Sequence, residues 1–378
     1  MTLNWVPRHR AAPASPYDAL AFASSPRFAD QTVRQVLHLH RGGTTSRLRL
    51  SNLFGKQPLL VGALRVAAHL GEGRVSEATG TVVTFGGDTS VEIPAGAEVV
   101  TDPVEFPFDD DFELAVSLHL PDATGPVTGH PAALQAGYVT PGDATGKAEV
   151  PGAEEITALH IVTGVDVLEP VRDEPVIVAF GDSLTDGDGT TPGANQRYPD
   201  HLSRRLKTPV LNMGIAGNRL LRDGFGEAGL SRFQRDALEV PGVTHVIVEL
   251  GINDIGLAAV YDLPRPAADD LIEGLTSLAR QARAAGVVPV GATLPPFEGT
   301  VFPGYYTEEG DRTRGAVNAW VRRTPEFAAV LDIDAALRDP RRPSSYRADL
   351  DTGDHLHPSD AGAAAIAAAI DPAVFGGA

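Results

Sequence analysis

The sequence has no cysteine among its 378 residues. Disulfides, thiolate nucleophiles and cysteine-ligated zinc are thereby excluded, and redox usage says nothing about compartment. Positive charge is scarce as well: 31 Lys and Arg face 49 Asp and Glu, a net charge of −18. Neither nucleic acid nor an anionic membrane is expected as the main partner. No apolar run is long enough to span a bilayer; the longest, Ala361 to Ile370, reads as an Ala-rich terminal helix. The polar, proline-broken stretch 1–24 shows no signal-peptide pattern, so a cytoplasmic location is expected for the sequence as written. One common fingerprint is also missing, and one glycine loop fails to match another. There is no Gly-x-Ser-x-Gly, and Gly187-Asp188-Gly189 with Gly193 does not fit Gly-x-Gly-x-x-Gly. The first argues against an α/β-hydrolase elbow, and the second against dinucleotide binding at that loop. Asp186 and Asp188 begin like a calcium loop, but its twelfth position is Arg197 rather than Glu. The segment reads instead as a flexible loop beside Ser183.

What is present points to two globular domains. With 43% hydrophobic and 21% charged residues, the chain can bury sizeable cores, and its length exceeds that of a small single domain. Two textures meet near residue 170. From about 30 to 168, short apolar–polar alternations lie between Gly and Pro turns. In Phe112 to Leu120, the residues Phe112, Leu114, Val116, Leu118 and Leu120 share one face. The stretches 33–40 and 46–50 flank Gly42-Gly43 and read as a hairpin. An all-β sandwich or jelly roll is expected over residues 1–170. Leu168 to Glu174 reads as the linker. From Pro175, apolar runs at 176–180, 209–213, 245–250, 287–293 and 329–333 alternate with helical stretches near 196–206, 231–238, 266–285, 310–323 and 359–370. That rhythm predicts a three-layer α/β/α domain over 171–378 with a five-stranded parallel sheet.

Phe180-Gly181-Asp182-Ser183-Leu184-Thr185 follows the first apolar run, so Ser183 stands at the C-terminal end of a buried strand. Ligand and catalytic sites of open α/β sheets lie at that edge. A serine hydroxyl needs a neighbouring base, and the base needs a carboxylate to hold its other ring nitrogen. Asp354-His355-Leu356-His357-Pro358, near the end of the chain, contains both. Asn212-Met213-Gly214 and Gly251-Ile252-Asn253-Asp254 follow two further apolar runs, and a glycine N–H and an asparagine amide are suitable donors to a developing oxyanion. Each segment alone reads equally well as a turn; together they are hard to assign to turns.

In order, these four segments resemble the blocks that define the SGNH (GDSL) hydrolases: Gly-Asp-Ser-Leu, a glycine block, Gly-x-Asn-Asp and Asp-x-x-His-Pro. The resemblance implies a flavodoxin-like fold and a serine esterase or lipase. It makes Ser183 the nucleophile and an oxyanion donor, Gly214 and Asn253 the other oxyanion donors, His357 the base and Asp354 its partner. Gln31-Thr32-Val33-Arg34-Gln35 and Arg47-Leu48-Arg49-Leu50-Ser51-Asn52 also resemble the β-domain that precedes the hydrolase in the XynE-like subgroup. Many family members deacetylate plant polysaccharides, so the expected substrate is a short-chain ester of a carbohydrate or small alcohol. No metal or cofactor is expected. The alternatives are a lipase or phospholipase for longer acyl chains, or a carbohydrate-binding protein with a vestigial hydrolase domain. The oligomeric state is not legible.

Other polar residues have plainer readings. His38 and His40 share a strand face and could bind metal, but no third ligand is evident, and a surface strand is expected. His355 is the rival base to His357, set aside because the family spacing places the base three residues after Asp354. Glu249 in an apolar strand is read as a salt-bridge partner of a covering helix, and Asp182 and Asp254 as loop-stabilising acceptors.

Overall fold

In the computed structural model, which describes residues 2–20, 25–172 and 174–376, the chain divides into two units, 1–173 and 174–378. The first is all β. A six-stranded antiparallel sheet runs in the order Glu154–Ile156, Gly137–Pro141, Gln31–Leu39, Phe112–Leu120, Ala63–Ala68 and Thr81–Val82. A second sheet orders Leu3–Arg10, Val162–Pro170, Gly43–Ser51 and Glu98–Val100, with Val104–Phe108 also on Gly43–Ser51. Alternate residues of the strands meet in one core: Val33, Leu37, Leu114, Val116 and Leu118 come from the first sheet, and Leu48 and Val165 from the second. Fully burying an aliphatic side chain of this kind contributes roughly 1.5–3 kcal/mol.

Three features depart from the expectation. Gln31–Leu39 and Gly43–Ser51 do not form a hairpin; they lie in different sheets, and 40–42 crosses between them. A tight two-residue hairpin needs positive φ, and neither Gly42 nor Gly43 has it. They are glycines because of close approach: a Cβ on Gly42 would lie 2.6 Å from the Phe108 carbonyl oxygen, and one on Gly43 would strike the Val167 side chain. Strand Leu3–Arg10 is masked in the sequence by Pro7, which an outer strand tolerates, and the register shifts between Pro7 and His9. The expected linker begins too early, because strand Val162–Pro170 takes up its first half; its Asp173 lies outside the described residues.

The second unit holds the five-stranded parallel sheet, in the order Val210–Gly214, Ile177–Gly181, His245–Glu249, Val288–Ala292 and Ala329–Leu331. The first strand in sequence lies between the second and third, so successive connections run in opposite directions from it and open a crevice at the carboxyl edge. Gly181 is in register with Gly214 on one side and Glu249 on the other. The segments after these three strands therefore start at one edge. Helices Tyr198–Leu206, Ala268–Ala284, Glu308–Val321 and Asp360–Ala368 match expected stretches, whereas 231–238 divides into α-helix Gly229–Phe233 and π-helix Gln234–Leu238. Helix Ile252–Val260 is additional to them. Among the described residues, no helix is long and apolar enough to cross a membrane.

Candidate active site

Ser183 opens a four-residue helix, Ser183–Asp186, directly after strand Ile177–Gly181. Asp182 caps it by accepting the Leu184 N–H at 3.2 Å, and Gly187, at φ 119°, ends it in a left-handed conformation few other residues adopt. Ser183 is 4% exposed.

The acid–base loop owes its shape to Asp354. One carboxylate oxygen accepts the backbone N–H groups of Leu356 (2.9 Å) and His357 (2.8 Å), folding the chain back on itself. The other oxygen meets His357 Nδ1 at 2.6 Å, and His357 Nε2 lies 2.9 Å from Ser183 Oγ. The Asp-x-x-His spacing thus follows from a single side chain that organises both backbone and ring. Burial acts to raise the Asp354 carboxyl, but the His357 ring bond and charge and the two backbone donors outweigh it and hold it well below the usual range. His355 points elsewhere: its Nδ1 bonds Asp351 and its side chain is 46% exposed.

The loop after Ser183 is tied rather than loose. Thr191 donates its N–H (2.8 Å) and hydroxyl (2.7 Å) to Asp360 of the last helix, and Thr190 donates its hydroxyl to the Gly187 carbonyl at 2.7 Å. It brings Asp188 to 4.0 Å from His357 Nε2.

Asn253 lies in the first turn of helix Ile252–Val260. Its amide donates to the Asn218 carbonyl at 3.1 Å, and its Oδ1 accepts the Tyr305 hydroxyl at 2.8 Å. Tyr305 is a residue the sequence does not reveal. Burial first, then the charges of Asp182, Asp254 and Glu249, push its pKa far up, so it remains a hydroxyl donor. Asp254 accepts the N–H groups of Leu220 (2.6 Å) and Leu221 (2.9 Å), as expected of a loop stabiliser; burial raises it to about 6 against these bonds.

The assignment of Gly214 as an oxyanion donor needs correcting. Its N–H is spent on Asn212 Oδ1 at 3.0 Å, and a Cβ there would overlap the Asp186 backbone. Gly214 is small because helix Ser183–Asp186 packs onto it. In the loop that follows, Ile215 N–H donates to the Gly181 carbonyl (3.2 Å), Ala216 N–H to Asp186 (2.8 Å) and Asn218 N–H to the Ile215 carbonyl (3.0 Å). Among the described residues, the Gly217 N–H has no such bond, and its φ of 75° suits glycine. The Ser183 N–H has none either.

Glu249 makes no salt bridge to a covering helix among the described residues, again unlike the expectation. It accepts the Asp182 N–H (3.4 Å) and the Thr185 hydroxyl (3.1 Å) and lies against the Asp182 side chain, both carboxyls being fully buried. Burial raises both groups, Glu249 to about 7, and their mutual charge raises Asp182 further. Burial thus favours the protonated form of both carboxyls. Both are raised above their unfolded values of about 4, so the stability they confer is present below about pH 4 and lost as pH climbs through about 7. Glu249→Gln is therefore expected to flatten the decline of Tm between about pH 4 and 7, each unmatched proton being worth about 1.4 kcal/mol per pH unit. Thermal melts of parent and variant across that range check it; parallel declines would refute the raised Glu249 carboxyl.

Residues 179–365 match the model of the GDSL-like Lipase/Acylhydrolase family. The match takes in Ser183, Asn253, Asp354 and His357 and supports placing the second unit in that family. Among solved structures, the chain resembles a GDSL-like lipase from Bacteroides thetaiotaomicron (19% identity, 54% of this chain and 90% of that one, TM-score 0.42). It also resembles the aryl esterase of M. smegmatis (18%, 52% and 95%, TM-score 0.42) and a carbohydrate acetylesterase from Sinorhizobium meliloti (16%, 51% and 95%, TM-score 0.40). No curated protein matches the chain.

Proposed function

We propose that this chain, whose second unit carries the GDSL-like lipase/acylhydrolase match, is a serine esterase for short-chain acyl esters, acetyl above all, of carbohydrates or small alcohols. The observation that carries the reading is the continuous path from Asp354 through His357 to Ser183, at 2.6 and 2.9 Å. Ser183 Oγ attacks the acyl carbonyl while His357 Nε2 takes its proton. The oxyanion is received by the Ser183 N–H, the Asn253 amide and the Gly217 N–H. The intermediate collapses as His357 returns the proton to the leaving alcohol, giving an acyl-enzyme. Water, deprotonated by His357, attacks that ester; the acid leaves and Ser183 regains its proton. The first unit and the Asp354–Pro358 block support grouping the chain with the XynE-like enzymes.

One observation favours longer acyl chains. Val301 and Phe302 are exposed (58% and 42%) beside the base, the Phe302 ring centroid lying 6.2 Å from that of His357. A series of 4-nitrophenyl esters from about two to about twelve carbons separates the readings by kcat/KM. Acetate or butyrate is expected to lead. A maximum at about eight carbons or more would favour the lipase reading, and no turnover of any ester would defeat both.

Asn253→Ala is expected to lower kcat about 10²–10³-fold with a smaller change in KM, since its donor matters most when charge develops. Tyr305→Phe removes the donor that fixes the amide and should reproduce part of that loss in kcat. Steady-state kinetics decide: a rise in KM alone would make Asn253 a ground-state contact.

A further inference from the structure

The histidine pair of the first unit has the third ligand that the sequence does not show. His38 and His40 are two residues apart, so their side chains leave the same face of the six-stranded sheet. Strand Phe112–Leu120 pairs antiparallel with Gln31–Leu39, with Phe112 opposite Leu39 and Glu113 opposite His38. One step further, Asp111 comes opposite His40 and donates its N–H to the His40 carbonyl. The result is that a single oxygen, Asp111 Oδ1, lies 3.4 Å from His38 Nε2 and 3.2 Å from His40 Nδ1. All three donor atoms fall within 4.8 Å of one another.

We propose that His38, His40 and Asp111 bind a divalent transition-metal cation of the zinc type, with solvent completing its coordination. Two imidazoles and a carboxylate are the donors such ions take, and magnesium, which prefers an all-oxygen shell, does not. Around a tetrahedral ion, with bonds of about 2.0–2.2 Å, neighbouring donors lie about 3.3 Å apart, close to the two spacings observed. The two neighbouring carboxylates are engaged elsewhere. Asp110 is taken by Arg41 and the Gly42 N–H, and Glu113 by His69 Nδ1 at 2.6 Å. Asp111 is the exposed member, its side chain 56% accessible, whereas the histidine side chains are 13% and 10% accessible. The ion would join the end of one strand to the turn that begins its neighbour.

The test is calorimetric titration of the untagged, chelator-treated full chain with zinc and, separately, magnesium. One zinc per chain, no magnesium isotherm and a zinc-dependent rise in Tm are expected. Asp111→Asn and His40→Gln should each lose the zinc isotherm, while His69→Gln keeps it. Circular dichroism and esterase turnover report whether each variant is folded. Absence of zinc binding by the parent overturns the proposal. So does an unchanged isotherm in a folded His38→Gln/His40→Gln double variant, which would assign the ion to another site.

Discussion

Ser183→Ala is expected to lose on the order of 10⁴-fold or more in kcat, with the fold intact. The hydroxyl's partner is His357, so its removal strands no buried donor or acceptor in the sheet. The cap at Asp182, which accepts from the Leu184 N–H, needs only backbone at 183. Turnover of 4-nitrophenyl acetate and the melting temperature, measured on one preparation, test both halves. Near-parental turnover, with contaminating esterase excluded, would remove Ser183 as nucleophile. Lost turnover with a collapsed Tm would make the loss structural instead.

A comparable loss is expected for His357→Gln, while His355→Gln should stay close to the parent. Only His357 has one ring nitrogen on a carboxylate and the other on the serine. His355 adopts φ 58° and bonds Asp351, so its substitution disturbs the loop without touching Ser183. A glutamine at 357 can still donate or accept a hydrogen bond, but it cannot take up a proton near neutral pH, which is the step required of it. Parallel kinetics of the two variants decide; if His355→Gln were the inactive one, the base assignment would have to be exchanged.

What could be read from the chain depended on how local the determining physics was. Ser183, Asn253, Asp354 and His357 each sit in a short block after an apolar strand or before the last helix, and the order of those blocks carried the resemblance that implies their roles. Gly214 and Gly217 look alike in sequence. The bond from the Gly214 N–H to Asn212 Oδ1 and the positive φ of Gly217 separate them, and both depend on how the strand ends. Tyr305 is 52 residues from Asn253, in a loop with no periodic pattern, so nothing local links the two. The failed hairpin has a similar cause. Gly42-Gly43 signals a turn in sequence, but the glycines answer to Phe108 and Val167, which are far along the chain. The closeness of Asp182 to Glu249 likewise depends on two strands being neighbours, which Glu249 in its own apolar run does not show.

The Ser183–His357 hydrogen bond spans 174 residues. The serine follows the first strand of its unit and its partner lies in the loop before the final helix, with the other four strands of the parallel sheet between them in sequence. During synthesis or refolding, the strand carrying the serine can pair with its neighbours while its hydroxyl still lacks a base. Long-range closures of this kind are the slow part of assembling a parallel sheet. Ser183 therefore gains its hydrogen-bond partner only once the loop before the terminal helix, which Asp360 ties to Thr191, is in place. On the proposed mechanism, ester hydrolysis is then expected to appear only once the fold is complete.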